Sequence, residues 1–311
     1  MEFAVEILFF ALGLVLLLKG ASIFTENASR IAKSVGVSDI VIGLTLVAFT
    51  TSLPELAVSM LSAARGVSGI ALGNVVGSNI ANIGLVLGIS ALLTKGIPIQ
   101  RPELKQAYIM IVVSVIAVMF MIDGLTPIKG AILVAGLLFY LYYIAHEKEL
   151  KENIVEKIID KQNLPKGMIL CIIGGAGVLL GADMLVNSAT HIAQGFGISD
   201  SVIGLTLIAV GTSLPELATS VTAAVKKLEG IAIGNIIGSN IFNLLMVMGA
   251  SALVGTITVD SVVLMDSVPV MLLLSVILVL LMKTESNLGR LEGLLLLILY
   301  TFFIYLRFFG F

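Results

Sequence analysis

Twice in this chain a glutamate follows a proline inside a long apolar run: TTSLPE at 50–55 and GTSLPE at 211–216. An acid at the middle of a membrane helix costs about 2.5–3.5 kcal/mol on insertion scales, so its presence there is a functional signal by default. More oxygen surrounds each acid. Thr51, Glu55 and Ser59 recur at every fourth residue, as do Thr212, Glu216 and Ser220, and each trio shares one helix face. A second pair of stripes follows at the same spacing, Asn74, Ser78, Asn82 and Asn235, Ser239, Asn243. Carboxylates, amides and hydroxyls are ligands for hard cations, and a flexible field of many oxygens favours Ca²⁺ or Na⁺ over Mg²⁺, which dehydrates reluctantly. Softer metals lack ligands here. His146 and His191 lie outside the stripes, and Cys171 is the only cysteine. No resident cofactor is expected.

The prolines say how the backbone contributes. Proline has no N–H and crowds the carbonyl four residues back, so Pro54 disturbs a helix at Thr50 and Pro215 disturbs one at Gly211. Ser52 and Glu55, and Ser213 and Glu216, have capping-box spacing, so a fresh half-helix is predicted to start at each serine with its glutamate in the first turn. The carbonyls of Ala48, Phe49, Ala209 and Val210 would then lose their helical donors and become free acceptors. Backbone of that kind survives in a bilayer only where protein or a wet cavity covers it.

The elements that must hold these residues are membrane spans. The chain has 311 residues, 58% hydrophobic and 12% charged, with mean hydropathy +1.12, and its apolar runs divide into ten segments of spanning length. The first has acids rather than a basic region before it and is read as a retained span, not a signal peptide. With the N-terminus outside, all of the 18 Lys and Arg except Arg65, Lys129 and Arg307 fall on inner loops, which supports this orientation and an even number of spans. Residues 1–145 are predicted to be one five-helix unit and 167–311 a second. Between them lies a mixed-charge cytoplasmic linker, 146–166.

The two units are copies. An offset of 161 residues places Thr51 on Thr212, Gly20 on Gly181, Asn74 on Asn235 and Asn82 on Asn243 without a gap, and residues 36–55 match 197–216 at 15 of 20 positions. Five spans per copy is an odd number, so the second copy enters the membrane upside down. Inverted repeats of this kind place a shared site near the bilayer midplane. The predicted fold class is therefore an all-α polytopic membrane protein of ten transmembrane helices, two inverted five-helix repeats with broken helices at the midplane. Small residues around the stripes (Gly43, Gly73, Gly77, Gly84, Gly204, Gly234, Gly238) permit close helix approach and are read as packing. Glu26, Asp39, Asp183 and Asp200 are read as solvated or capping, and Asp123, Asp260 and Asp266 as interfacial. The sequon at Asn27 falls on the cytoplasmic side and is discounted.

At TTSLPE with GNVVGSNIAN, and GTSLPE with GNIIGSNIFN, the sequence resembles the cation/Ca²⁺ antiporter superfamily, specifically its Na⁺/Ca²⁺ exchanger branch and prokaryotic members. The resemblance implies a transporter and not an enzyme, in which Glu55 and Glu216 coordinate Ca²⁺ and share in Na⁺ binding. It further implies that Thr51, Ser52, Ser78, Asn82, Thr212, Ser213, Ser239 and Asn243, with the carbonyls of Ala48 and Ala209, line up to four cation positions. It implies sliding of the first and sixth helices across the other eight, and three Na⁺ exchanged per Ca²⁺. Two residues depart from the pattern. Thr50 stands where the family has Gly, and Asn243 stands where K⁺-dependent members have Asp, so no K⁺ requirement is expected.

Charge counting agrees with such exchange. Two ionised glutamates are neutralised by one Ca²⁺ or by two Na⁺, and a third Na⁺ leaves one net charge to move through the membrane. The nearest alternative is a H⁺/Ca²⁺ antiporter, since a proton on each glutamate would also neutralise the pair, and H⁺ is a candidate competitor in either case. A passive cation channel is disfavoured by a site of so many ligands. An intramembrane protease fails for want of a catalytic pair at membrane depth. The partners expected are Ca²⁺, Na⁺ and the lipid of the plasma membrane, with both termini outside and no nucleic acid.

Overall fold

The computed structural model describes residues 2–94, 96–147, 164–195, 209–259, 263–285 and 287–309. Asp200, Gly204, Asp260 and most of the linker expected at 146–166 lie outside the described residues. The chain runs as α1 (Glu2–Val35), α2 (Asp39–Thr51), α3 (Leu53–Ala64), α4 (Ser68–Leu93), α5 (Arg101–Met121), α6 (Pro127–His146) and α7 (Leu164–Gly195). It continues through α8 (Leu214–Val225), α9 (Glu229–Val254), α10 (Val268–Glu285) and α11 (Arg290–Phe309). Among the described residues, seven helices are long and apolar enough to cross a membrane, and α2 with α3 makes an eighth span bent by 47°. This is the expected all-α polytopic membrane class, with eight candidate spans among the described residues.

Inversion of the two repeats is written into their contacts. Gly13 and Gly20 of α1 are equivalent to Gly174 and Gly181 of α7. A Cβ on Gly13 would come 3.1 Å from the Gly181 carbonyl, and one on Gly20 would come 2.9 Å from the Gly174 carbonyl. Each glycine therefore meets the mate of the other, the signature of a two-fold relation, and the helices run antiparallel. Deletion of four Cβ atoms lets the two backbones touch, which is how helices associate where lipid offers no hydrophobic drive. The same exchange relates the loops. β1 (Ile97–Pro98) pairs with β2 (Asn287–Leu288), while Leu125 bridges Ile257 in the corresponding place of the other half.

Burial separates inner from outer helices. The spanning windows of α4 and α9 are 78% and 94% buried, against 28% for both α1 and α6. The helices that carry the Asn/Ser stripes are thus the centre of the bundle, and α1 and α6 form part of its apolar exterior. Several acids read as solvated or capping have partners there. The Asp39 carboxylate accepts from the Ser29 hydroxyl at 2.8 Å, and Asp183 accepts from Asn187 at 3.0 Å. Glu26 on α1 receives the Lys226 ammonium at 2.6 Å, and Asp123 pairs with Lys129, whose hydrogen bond, with its charge, holds the Asp123 carboxyl below its usual range.

Candidate cation site

Pro54 and Pro215 are built into the first turns of α3 and α8, where a missing N–H costs nothing. Each helix therefore starts where the sequence predicts, with Glu55 or Glu216 in its first turn. The predicted capping box is not made. Neither Ser52 nor Ser213 caps its helix through its side chain. The Ser52 hydroxyl instead donates across the bundle to Glu216 Oε1 at 3.2 Å. A carboxylate is the stronger acceptor, and it draws the serine away from its own helix end.

The break is also tighter than expected at the carbonyls. Ala48 O keeps the Ser52 amide at 3.0 Å, and Val210 O takes the Ser213 amide at 3.1 Å, so neither is a bare acceptor. Ala48 O also lies 3.4 Å from the Thr51 hydroxyl. Thr50, whose equivalent in the other repeat is Gly211, does not prevent the bend. Its hydroxyl returns to Leu46 O at 2.8 Å, and its methyl faces Gly175 of α7, where a Cβ would stand only 3.1 Å away. In the other half the bulk is reversed: Gly211 leaves room for Val186.

The four polar stripes converge, and they do so reciprocally. Thr51 donates to Asn235 Oδ1 at 3.0 Å, and its mate Thr212 donates to Asn74 Oδ1 at 3.4 Å. Asn235 Nδ2 reaches Ser220 at 2.8 Å, as Asn74 Nδ2 reaches Ser59 at 2.9 Å. Ser78 donates to Glu55 Oε1 and Ser239 to Glu216 Oε1, both at 3.4 Å. Glu55 and Glu216 are wholly buried, and Ser52, three residues before Glu55, bonds Glu216. Each keeps one oxygen, Oε2, with no hydrogen-bond partner, and Asn82 Oδ1, Asn243 Oδ1 and Ser213 Oγ are likewise buried and unpartnered. A buried polar atom left unpaired costs about 1–3 kcal/mol, more when charged. Carboxylate, amide and hydroxyl oxygens are ligands of hard cations by type. Among the described residues no group of three or more His, Cys, Asp and Glu exists, so neutral oxygens must complete any coordination shell.

One further pair belongs to this neighbourhood and lies off the predicted stripes. Asn79 and Asn240, one residue past Ser78 and Ser239, sit where α4 crosses α9. Asn82 Nδ2 donates to Asn240 Oδ1 and Asn243 Nδ2 to Asn79 Oδ1, each at 3.1 Å. Both α4 and α9 widen into a π-helical turn starting at Asn82 and Asn243. Such turns recur at functional sites, and here they follow directly on the clasped amides.

Comparison with known proteins gives the same picture over nearly the whole chain. Residues 5–146 and 166–309 match the family described as sodium/calcium exchanger protein. The chain is 35% identical to the sodium/calcium exchanger MaX1 of Methanosarcina acetivorans, over 98% of this chain and 99% of that protein. It is 38% identical to the membrane protein MJ0091 of Methanocaldococcus jannaschii over 94% of each. Its fold superposes with TM-score 0.87 and 36% identity on the sodium-calcium exchanger NCX_Mj soaked with 10 mM Na⁺ and zero Ca²⁺, covering 96% of this chain and 98% of that one. A structure of the same exchanger soaked with 10 mM Na⁺ and 10 mM Sr²⁺ superposes with TM-score 0.86. The chain belongs to the sodium/calcium exchanger protein family.

Proposed function

We propose that this protein is a secondary antiporter that exchanges Na⁺ for Ca²⁺ at a single site shared by its two repeats. The observation that carries this reading is the pair of wholly buried glutamates, one per repeat, each with an unpartnered oxygen and each touched by a serine hydroxyl. Glu55 and Glu216 are the anionic ligands. Thr51, Ser52, Ser78, Asn82, Thr212, Ser213, Ser239 and Asn243 supply neutral oxygens, together with the carbonyls of Ala48 and Ala209. Either cation neutralises the same two carboxylates, so the two compete, and an empty site of charge −2 resists passage through a low-dielectric barrier. That exclusion makes the flux an exchange. Three Na⁺ per Ca²⁺ moves one net charge, worth about 2.3 kcal/mol per 100 mV. No step requires K⁺, because Asn243 adds no third carboxylate. The N-terminus lies outside the plasma membrane and the linker in the cytoplasm.

The test is ⁴⁵Ca²⁺ uptake into vesicles containing the purified protein, driven by an outward Na⁺ gradient without K⁺. Three Na⁺ leaving for each Ca²⁺ that enters carry one net positive charge outward, so an interior made positive favours each cycle. Acceleration by an inside-positive potential is the expected result. Indifference to potential would rule out the stoichiometry, and uptake driven only by a pH gradient would make the protein a H⁺/Ca²⁺ antiporter. Glu55→Gln and Glu216→Gln each remove an anionic ligand and are expected to abolish uptake; persistence in both would refute the site.

A further inference from the structure

Asn82 and Asn243 can serve a cation only if each turns its oxygen, and not its NH₂, toward the site. An amide is nearly symmetric in shape, so something must select the orientation. Behind each stands a second amide, and behind that a thioether. Asn240 Nδ2 donates to Met110 Sδ of α5 at 3.5 Å, and Asn79 Nδ2 donates to Met271 Sδ of α10 at 3.6 Å. Met110 and Met271 are repeat mates, both 0% exposed, and Asn79 and Asn240 are 1% exposed. A thioether accepts hydrogen bonds and cannot donate.

We infer that Met110 and Met271 are positioning residues which, through Asn240 and Asn79, fix the amides of Asn82 and Asn243 with their oxygens toward the cation. The polarity passes along each relay in one sense. Met110 offers only lone pairs, so Asn240 must present its NH₂ to it and its Oδ1 to Asn82. Asn82 must then donate its own NH₂, as it does at 3.1 Å, and the atom left over is Oδ1, buried and unpartnered. Met271, Asn79 and Asn243 repeat the sequence, and Asn79 Nδ2 is held further by the Asn240 carbonyl at 3.4 Å. Asn82 stands one turn beyond Ser78, which donates to Glu55, so the residue lies on the carboxylate face of α4. With leucine in place of Met110 both amides of that relay can flip together, and an NH₂ group then meets the cation; in the other relay the Asn240 carbonyl still opposes the flip of Asn79 once Met271 is leucine.

This inference rests on the site assigned under the proposed function, and equilibrium binding of ⁴⁵Ca²⁺ to the purified protein in Na⁺-free buffer tests it without requiring transport. Met110→Leu and Met271→Leu conserve volume, a class of change that cores tolerate well. Met110→Leu is expected to raise the dissociation constant roughly two- to tenfold, the range that one net hydrogen bond controls, with binding capacity unchanged; Met271→Leu is expected to raise it less, because the Asn240 carbonyl still holds Asn79, and the double variant is expected to exceed either. Met121→Leu and Met282→Leu, equally buried on the same two helices, are expected to bind as the wild type. Wild-type affinity in Met110→Leu, Met271→Leu and the double variant would overturn the relay, as would equal weakening by the two control substitutions. Failure of the wild-type protein itself to bind ⁴⁵Ca²⁺ would overturn the site as well as the relay.

Discussion

At the scale of single residues, the site is built from polar groups that lipid would penalise heavily and that satisfy one another across the two-fold. Asn235 illustrates the economy: it accepts from Thr51 and donates to Ser220, all at 0% exposure. Asn235→Ala is expected to destabilise the protein by about 1–3 kcal/mol, because it strands buried groups, and a lower melting temperature in detergent would show it. An unchanged melting temperature would mean that these hydroxyls find other partners. The ligand stripes were legible because their spacing of four residues puts oxygens on one face, and because both repeats show it. Asn79 and Asn240 were not, since they lie one position off the stripe. Met110 and Met271 look like ordinary core side chains, and only their shared offset of 161 residues marks them. The capping boxes fail for a different reason at Ser52: local spacing predicts a local bond, and a carboxylate from the other repeat competes for the hydroxyl more strongly, whereas Ser213 Oγ is left unpartnered.

Among the elements, the contact between α1 and α7 is the most demanding. A Cβ at Gly181 would lie 2.4 Å from the Leu17 amide nitrogen, a backbone atom that cannot step aside. Gly181→Val is therefore expected to force these helices apart and destabilise the fold by about 1–3 kcal/mol, the usual cost of overpacking; Gly69→Val, at a position with open space, is the control for the same thermal measurement. The repeat and its inversion were readable because duplicated sequence with an odd number of spans leaves no other arrangement. The close approach of α1 to α7 was not, because a glycine in an apolar run signals small size without naming its neighbour. Thr50 shows the same limit. Its departure from its equivalent Gly211 is absorbed by Gly175, a residue on another helix and far away in sequence. The tie between Lys226 and Glu26 belongs here too, joining the end of α8 to α1 through a contact that no local pattern announces.

For the whole molecule, the reciprocal bonds make the site the joint property of two halves that face opposite ways. The fold could be inferred from sequence in outline because a bilayer admits so few solutions: apolar runs must be helices, and acids within them must meet. What the outline lacks is the second layer that orients the ligands. The central claim is that Ca²⁺ and Na⁺ draw on one pair of carboxylates and exclude each other. Equilibrium ⁴⁵Ca²⁺ binding to the purified protein, titrated with Na⁺ at constant ionic strength, tests it most directly. The expected result is an apparent dissociation constant that climbs more steeply than in proportion to Na⁺ while capacity at saturating Ca²⁺ is unchanged, with no binding by Glu216→Gln. Capacity that falls as Na⁺ rises, or Ca²⁺ affinity that ignores Na⁺, would contradict a shared site.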